Sequence, residues 1–312
     1  MTTFSPIPDS FIVNNNCIIK SNPKYDVLTY QQLLDLKKLT PENLKKEWDK
    51  MIKAPSDKNR RTFVGNKILY HFQFEELLKT KRDIKDYKTI DEILSNKELS
   101  KKWIDYAIKL NRNIKKPYLT SVDIFECYRL CKGSVVFFKP FTTKYLCTHF
   151  KATAVLDPCA GWGGRLLGAR SLGLEYTGID TNINLKKNYD KMLELYGGTM
   201  LYENCLESDF STINYDIVIT SPPYLNIEQY SHMPLFQSES DYYKDFLIPL
   251  IKQCKEHIKK PGIVCINISN TIYKKYLTYG GEPCNEDLSM ELKQQMGGKK
   301  NKEVIYVWKC SN

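Results

Sequence analysis

Apolar positions divide the chain into two stretches of different period. Up to about residue 133 they recur every three or four residues, the spacing of amphipathic helices. Thr40 followed by Pro41 marks a helix start that runs to Lys53, and Ile68–Thr80 repeats the helical spacing. Thr89…Glu92 and Ser95…Glu98 have the S/T-x-x-E form, in which a hydroxyl and a carboxylate reciprocally satisfy free amides at a helix start. The second predicts a helix from Asn96 to about Asn111, and another begins at Ser121 and stops before Gly133, a natural left-handed cap. Between the first two helices lies a basic loop, Ser56–Lys67.

Beyond residue 133 the pattern changes to short β-rich runs. They fall at Ala154–Asp157, Tyr176–Asp180, Met200–Tyr202, Ile217–Thr220, Ile263–Ile268 and Val304–Trp308. Helical stretches separate them at about Gly164–Ser171, Asn184–Tyr196 and Asp241–Lys259. Such alternation predicts an open, doubly wound, Rossmann-like α/β sheet. Two domains follow: a basic, mostly helical one over 1–133 and the sheet over 134–312. Ligands of such sheets bind at the carboxyl ends of the strands, so chemistry is expected there.

Composition narrows the class. With 42% hydrophobic and 26% charged residues in 312, the chain is neither disordered nor fibrous. No apolar run reaches the ~18–20 residues of a membrane span. The first thirty residues lack a basic start followed by an apolar core, so an intracellular protein with its ten cysteines reduced is expected. Cys127, Cys131, Cys147 and His149 could in principle share a ligand, but no C-x-x-C pair exists and no metal is expected.

Charge changes the picture more. Residues 1–150 carry 28 Lys and Arg against 17 Asp and Glu, whereas the remainder carries 18 against 19. The basic half suits a polyanion such as DNA or RNA, although a lysine-rich surface would give the same excess. Arg60, Arg61 and Lys67 in the basic loop are the candidate phosphate contacts.

Two loops carry the candidate chemistry. The first is Asp157-Pro158-Cys159-Ala160-Gly161-Trp162-Gly163-Gly164, directly after a strand. Glycines at a strand-to-helix turn let backbone approach a ligand closely. The position three after Gly163 is Leu166, so the dinucleotide G-x-G-x-x-G is absent. An acid at the strand tip repels a pyrophosphate and suits a cationic group, such as the ammonium or sulfonium of S-adenosylmethionine. Asp180 ends the next strand, 19 residues past Gly161, a spacing suited to ribose hydroxyls. The second loop, Ser221-Pro222-Pro223-Tyr224, leaves strand Ile217–Thr220. Two prolines stiffen it and remove two amide donors, so its carbonyls are acceptors, and Tyr224 offers a face for stacking a base.

Together the loops resemble the amino-methyltransferases that methylate exocyclic nitrogens of nucleic-acid bases. The resemblance covers roughly residues 135–312 and rests on the Asp157–Gly164 and Ser221–Tyr224 motifs in that order. It implies a methyltransferase sheet, S-adenosylmethionine as cofactor and DNA as substrate. In that family Asp or Asn before Pro-Pro-Tyr is typical of adenine enzymes, while Ser221 leans to cytosine N4. The run Ser221–Ser231, with Asn226, Glu228 and Tyr230, is similar to methyltransferases of phages and large viruses. The resemblance further implies that Phe138-Lys139-Pro140 closes over the methionine end of the cofactor. Asp157, Cys159, Ala160, Gly161, Gly163 and Asp180 would hold it, and Asn204-Cys205 would contact the adenine. Cys159 departs from the family's usual Phe. Adenine N6, an RNA base, or nucleic-acid binding without turnover remain the alternative readings.

Overall fold

A computed structural model describes residues 11–14, 17–20, 30–35, 37–56, 63–82, 88–89, 92–93, 96, 98–99, 102, 119–120, 136–225, 228–229, 236–291 and 302–311. The chain forms two compact units, Met1–Lys38 with Phe74–Val136, and Leu39–Gln73 with Phe137–Asn312.

The first unit holds a small antiparallel sheet ordered β1 (Phe11–Asn14), β2 (Cys17–Lys20) and β3 (Leu119–Thr120). Strands of two to four residues are too short to show a period, which is why only helices are expected there from sequence. A short helix, α1, spans Tyr30–Asp35. The Thr89 capping box forms as its spacing predicts: the Thr89 amide donates to Glu92 (2.5 Å) and the Glu92 amide to Thr89 Oγ1 (3.1 Å). Farther along, Asn96 Oδ1 accepts from the amides of Glu98 and Leu99, both at 3.1 Å. Most of the helices expected at 96–111 and 121–133 lies outside the described residues.

The second unit begins with α2 (Pro41–Lys53), whose N-cap Thr40 accepts from the Asn43 amide. Next comes α3 (Asn66–Lys79), which passes out of this unit after Gln73. It starts earlier than periodicity predicts because Gly65, at φ +90°, supplies the preceding turn. Residues 39–73 are tied to the sheet-bearing unit by specific contacts. Trp48 packs on Tyr196 at 4.3 Å between ring centroids, and the buried Lys144 ammonium donates to the Met51 and Ile52 carbonyls, each at 2.7 Å. This unit therefore draws in a segment far upstream of residue 134. Lys144 lies on α4 (Pro140–His149), a helix that periodicity does not reveal. Pro140–Cys147 are all buried, so α4 has no polar stripe to mark it.

Six strands of the central sheet follow the predicted runs to within a residue or two, while a seventh at Glu286–Glu291 and a helix at Asn270–Thr278 are not predicted by the pattern. In chain order come β4 (Ala154–Asp157), α5 (Gly164–Arg170), β5 (Glu175–Ile179), α6 (Lys186–Tyr196), β6 (Thr199–Leu201) and β7 (Ile217–Thr220). Then follow α7 (Ile248–Glu256), β8 (Gly262–Asn267), α8 (Asn270–Thr278), β9 (Glu286–Glu291) and β10 (Lys302–Cys310). The seven strands lie in the order β9-β10-β8-β7-β4-β5-β6. All are parallel except β10, which runs against both neighbours. The sheet is thus α/β and doubly wound: from β4 the chain steps outward through β5 and β6, then returns to place β7 on the other side. The crevice between the tips of β4 and β7 is where such a sheet offers a ligand site.

The helix expected at Asp241–Lys259 is broken into three. Ser238 caps a short turn at Glu239–Asp241, a π-helical segment spans Tyr242–Leu247, and α7 follows. The core on this side gathers Leu156, Val218, Tyr242, Leu247, Val264 and Trp308. Among the described residues no helix is long and apolar enough to cross a membrane, and no cluster of three or more His, Cys, Asp or Glu could hold a metal ion.

Candidate functional site

The two motif loops meet at the switch point. In the parallel pair β4–β7, Leu156 lies opposite Val218, so both strands end at the same edge. The tips are joined directly, because the Cys159 amide donates to Thr220 Oγ1 at 3.1 Å. That bond links residues sixty-one apart in sequence at the strand tips.

Asp157, at the tip of β4, is fully buried, and its charge is met inside the protein. Arg165 Nε donates to its Oδ2 at 2.7 Å and the Tyr176 hydroxyl donates to the same oxygen at 2.9 Å. Among the described residues Oδ1 has no hydrogen-bond partner. Arg165 is itself buried, also donates to the Cys159 carbonyl, and lies over the Phe138 ring at 4.9 Å. Burial works against its charge, but Asp157 more than offsets this and holds the guanidinium protonated. Tyr176 is pushed well up, first by burial and then by the Asp157 charge, so it stays a donor.

The glycine turn follows. Gly161 and Gly163 have φ of +55° and +87°, which a residue with a Cβ adopts only with strain. The Gly161 amide donates to Asp180 Oδ2 at 2.6 Å, and Asn182 donates to Oδ1 at 2.9 Å. Burial raises the Asp180 pKa above the ordinary carboxylate value, while these two amides pull it back. A Cβ on Gly161 would stand in ordinary van der Waals contact, 3.9 Å from Arg165 Nη2 and from the Cys159 carbonyl oxygen, so its backbone angle and not crowding calls for glycine. Gly164 is crowded, since a Cβ there would stand 2.0 Å from the Phe138 carbonyl oxygen. The Phe138-Lys139-Pro140 segment therefore rests against the start of α5. Lys139 lies over the Phe63 ring and Pro140 opens α4. Ala160 is buried, its amide donating to Ile179 O and its carbonyl accepting from the Tyr189 hydroxyl.

The neighbouring Cys205 thiol, together with burial, raises the Cys159 thiol well above its ordinary value. Asn204 shapes its own turn, accepting from the Leu206 amide at 3.1 Å and donating to Glu207.

On the other side, the Ser221 hydroxyl donates to the Asn267 backbone carbonyl at 3.2 Å and lies 3.4 Å from its side-chain oxygen. A hydroxyl whose proton is so committed turns its lone pairs outward as an acceptor. Pro222 is buried, Pro223 and Tyr224 are half-buried, and the loop ends at Leu225 in a left-handed turn with φ +49°. Non-glycine residues in that conformation store strain, which clusters at binding loops.

Of the phosphate candidates, Lys67 Nζ lies 3.4 Å from Glu47 Oε1 in an ion pair. Arg60 and Arg61 lie outside the described residues, as do Asn226, Tyr230 and Ser231. Arg165, Tyr176, Tyr189, Thr220 and Asn267 belong to the site but do not stand out in the sequence. Thr220 and Asn267 could have been found by the strand-tip rule; Arg165 reads as one more basic helix residue.

No family model matches the sequence, and no curated protein matches it. Among solved structures the chain is similar to a putative methyltransferase, yhhF, from Escherichia coli at 14% identity and a TM-score of 0.35, over 55% of this chain and 86% of that one. It is similar to an rRNA methylase from Streptococcus thermophilus at 12% identity and a TM-score of 0.38, over 57% of this chain and 100% of that one. A putative RNA methyltransferase from Pyrococcus horikoshii gives 16% identity and a TM-score of 0.38, over 55% and 83%.

Proposed function

We propose that this protein transfers a methyl group from S-adenosylmethionine to the exocyclic amine of a nucleic-acid base, cytosine N4 of DNA being the preferred target. One observation carries the reading: the Ser221 hydroxyl spends its proton on Asn267 beside a glycine turn joined to the same edge by Thr220. The residues present fit the cofactor. Asp157 Oδ1 is a buried carboxylate oxygen without a partner among the described residues, suited to an ammonium, and the left-handed turns at Gly161 and Gly163 let backbone face a ligand. Asp180 would accept from ribose hydroxyls while still holding the Gly161 amide.

Bound there, S-adenosylmethionine supplies an electrophilic methyl on a sulfonium. The protein's task is then the nucleophile. An exocyclic amine is weak because its lone pair is delocalised into the ring. Acceptors at the Ser221 hydroxyl and the Pro222 carbonyl would draw its two N–H bonds out of the ring plane and return the lone pair to nitrogen. Such preorganised acceptors act on charge that develops during transfer. Tyr224 would stack on the base, which in a duplex must first be extruded at a cost of a few kcal/mol. Residues 1–133 would hold phosphates, a reading supported by the basic excess of the first 150 residues.

Nucleoside mass spectrometry on DNA and RNA from cells expressing the protein tests this, with Pro222→Ala as control. N4-methylcytosine in DNA, absent from the control, is the expected result. N6-methyladenine would move the target to adenine, and a new nucleoside in RNA alone would replace the substrate. No new nucleoside, together with no heat on titrating S-adenosylmethionine, would overturn the reading.

The raised pKa of Asp180 adds a pH dependence. The folded protein takes up this proton at higher pH than the unfolded chain, so the stability it confers is present at low pH and lost as pH rises through the folded pKa. Ligand binding runs the other way, because the protonated oxygen no longer accepts. Affinity for S-adenosylhomocysteine is expected to fall on mild acidification, and Asp180→Asn to bind weakly with a flatter profile. A wild-type profile flat through mild acid would remove Asp180 from the site.

A further inference from the structure

Phe63, near the end of the basic loop, is 65% exposed. A lone apolar side chain in solvent is ordinary, and what sets Phe63 apart is its surroundings. The Lys139 ammonium stands 5.8 Å from the ring centroid, and among the described residues Lys139 has no ion-pair partner. Along the chain, residues 53–67 carry Lys53, Lys58, Arg60, Arg61 and Lys67 against the single acid Asp57. An exposed flat ring and an unneutralised cation therefore stand side by side at a strongly basic segment.

Direct contacts within one unit tie this surface to the glycine turn. A Cβ on Gly65 would stand 2.9 Å from Pro140 Cγ, so the turn after Phe63 lies against the start of α4. Two residues before Pro140, Phe138 rests its carbonyl on Gly164 and its ring on Arg165, the residue that holds Asp157. Lys139 between them has extended backbone, φ −71° and ψ 123°, and successive side chains of an extended chain point apart. Phe138 thus turns to the glycine loop and Lys139 to Phe63.

We infer that Phe63 and Lys139 form a nucleic-acid contact in which an unpaired base stacks on the Phe63 ring while Lys139 meets a phosphate of the same strand. A ring beside a cation suits an unpaired strand, because every base has a π-face and every nucleotide a negative charge. Bases of a duplex are already stacked on one another, so the ring favours an unpaired stretch, such as the one around an extruded base. The inference rests on the nucleic-acid reading above. It moves the Lys139 side chain, which the family resemblance gives to the cofactor, to the strand, and adds Phe63, which neither motif contains.

The test is fluorescence anisotropy of a short mixed-sequence oligonucleotide, as single-stranded DNA, single-stranded RNA and duplex DNA, titrated with the whole chain over a series of salt concentrations. Phe63→Ala is expected to weaken single-strand binding about tenfold at every salt concentration, and duplex binding less. Phe63→Trp keeps a stacking face and is expected to bind at least as tightly as wild type. Lys139→Gln is expected to lower the salt slope by about 0.7, one phosphate contact on a single strand. Melting temperatures of the Phe63 variants should match wild type, because the ring is mostly in solvent. Single-strand binding that Phe63→Ala leaves unchanged would overturn the inference, as would a wild type that binds neither single strand. An unchanged slope for Lys139→Gln, with weaker S-adenosylhomocysteine binding by calorimetry, would return that lysine to the cofactor and overturn its assignment here. All of these leave the methyl-transfer reading standing; that reading fails separately, if S-adenosylmethionine gives no heat and no new nucleoside forms.

Discussion

Replacing Arg165 with Met is expected to destabilise the protein by about 3–5 kcal/mol, the largest effect on folding of any single change at the site. The volume and much of the contact with Phe138 would remain, but Asp157 would be left as a buried carboxylate whose one charged partner is gone. The Tyr176 hydroxyl would still donate to it, and one neutral donor does not offset the desolvation of a full charge. A loss of that size lowers the melting temperature of a unit this large by roughly 10 °C. Chemical denaturation checks the figure. Pairing the change with Asp157→Leu should recover much of the lost stability, because the penalty lies in the orphaned charge rather than in the lost bond. That double variant would still lack the acceptor proposed for the cofactor's ammonium, so its stability should return without its binding. A cost below 1 kcal/mol for Arg165→Met alone would mean that the pair is not sealed from water.

Ser221→Ala is expected to give the largest loss of activity, with kcat down about a hundredfold and cofactor affinity unchanged. The fold should tolerate it, since among the described residues the bonds lost run from a half-buried hydroxyl to Asn267. Asn267 would keep its place, because its side-chain amide donates to the Val304 carbonyl on β10 at 3.2 Å. The loop itself, with two prolines and the Leu225 turn, has little freedom to rearrange. A loss confined to kcat would assign Ser221 to the transferring amine rather than to substrate capture. A rise in KM alone would make it a binding residue. Full activity would remove the hydroxyl from the chemistry.

These changes fall at positions that sequence reveals to different degrees. The Asp157–Gly164 and Ser221–Tyr224 loops are legible because their requirements are local. A positive φ needs glycine, a rigid exit needs proline, and each loop directly follows an apolar β run. The same holds for Thr40 with Pro41 and for Thr89 with Glu92, whose capping bonds span three residues. Helix α4 escapes notice for the opposite reason: burial on all sides erases the stripe by which a helix announces itself. The Tyr242–Leu247 segment reads as ordinary helix, because a π-turn changes hydrogen-bond register without changing composition.

Partnership across the fold is a different matter. Arg165 looks like any basic residue on a helix until the turn brings it back onto Asp157, and nothing in the spacing pairs Lys67 with Glu47. The amino-acid sequence alone determined six of the seven strands of the large sheet, the doubly wound class and the two loops, because these follow from patterns within a few residues. Tertiary structure alone decided that Thr220 joins the loops and that Asn267 takes the Ser221 proton. It also decided that Asp157 keeps one oxygen unpaired among the described residues and that Lys139 lies over Phe63. Those facts depend on which distant groups are left facing one another once the core has closed, and no spacing along the chain encodes that.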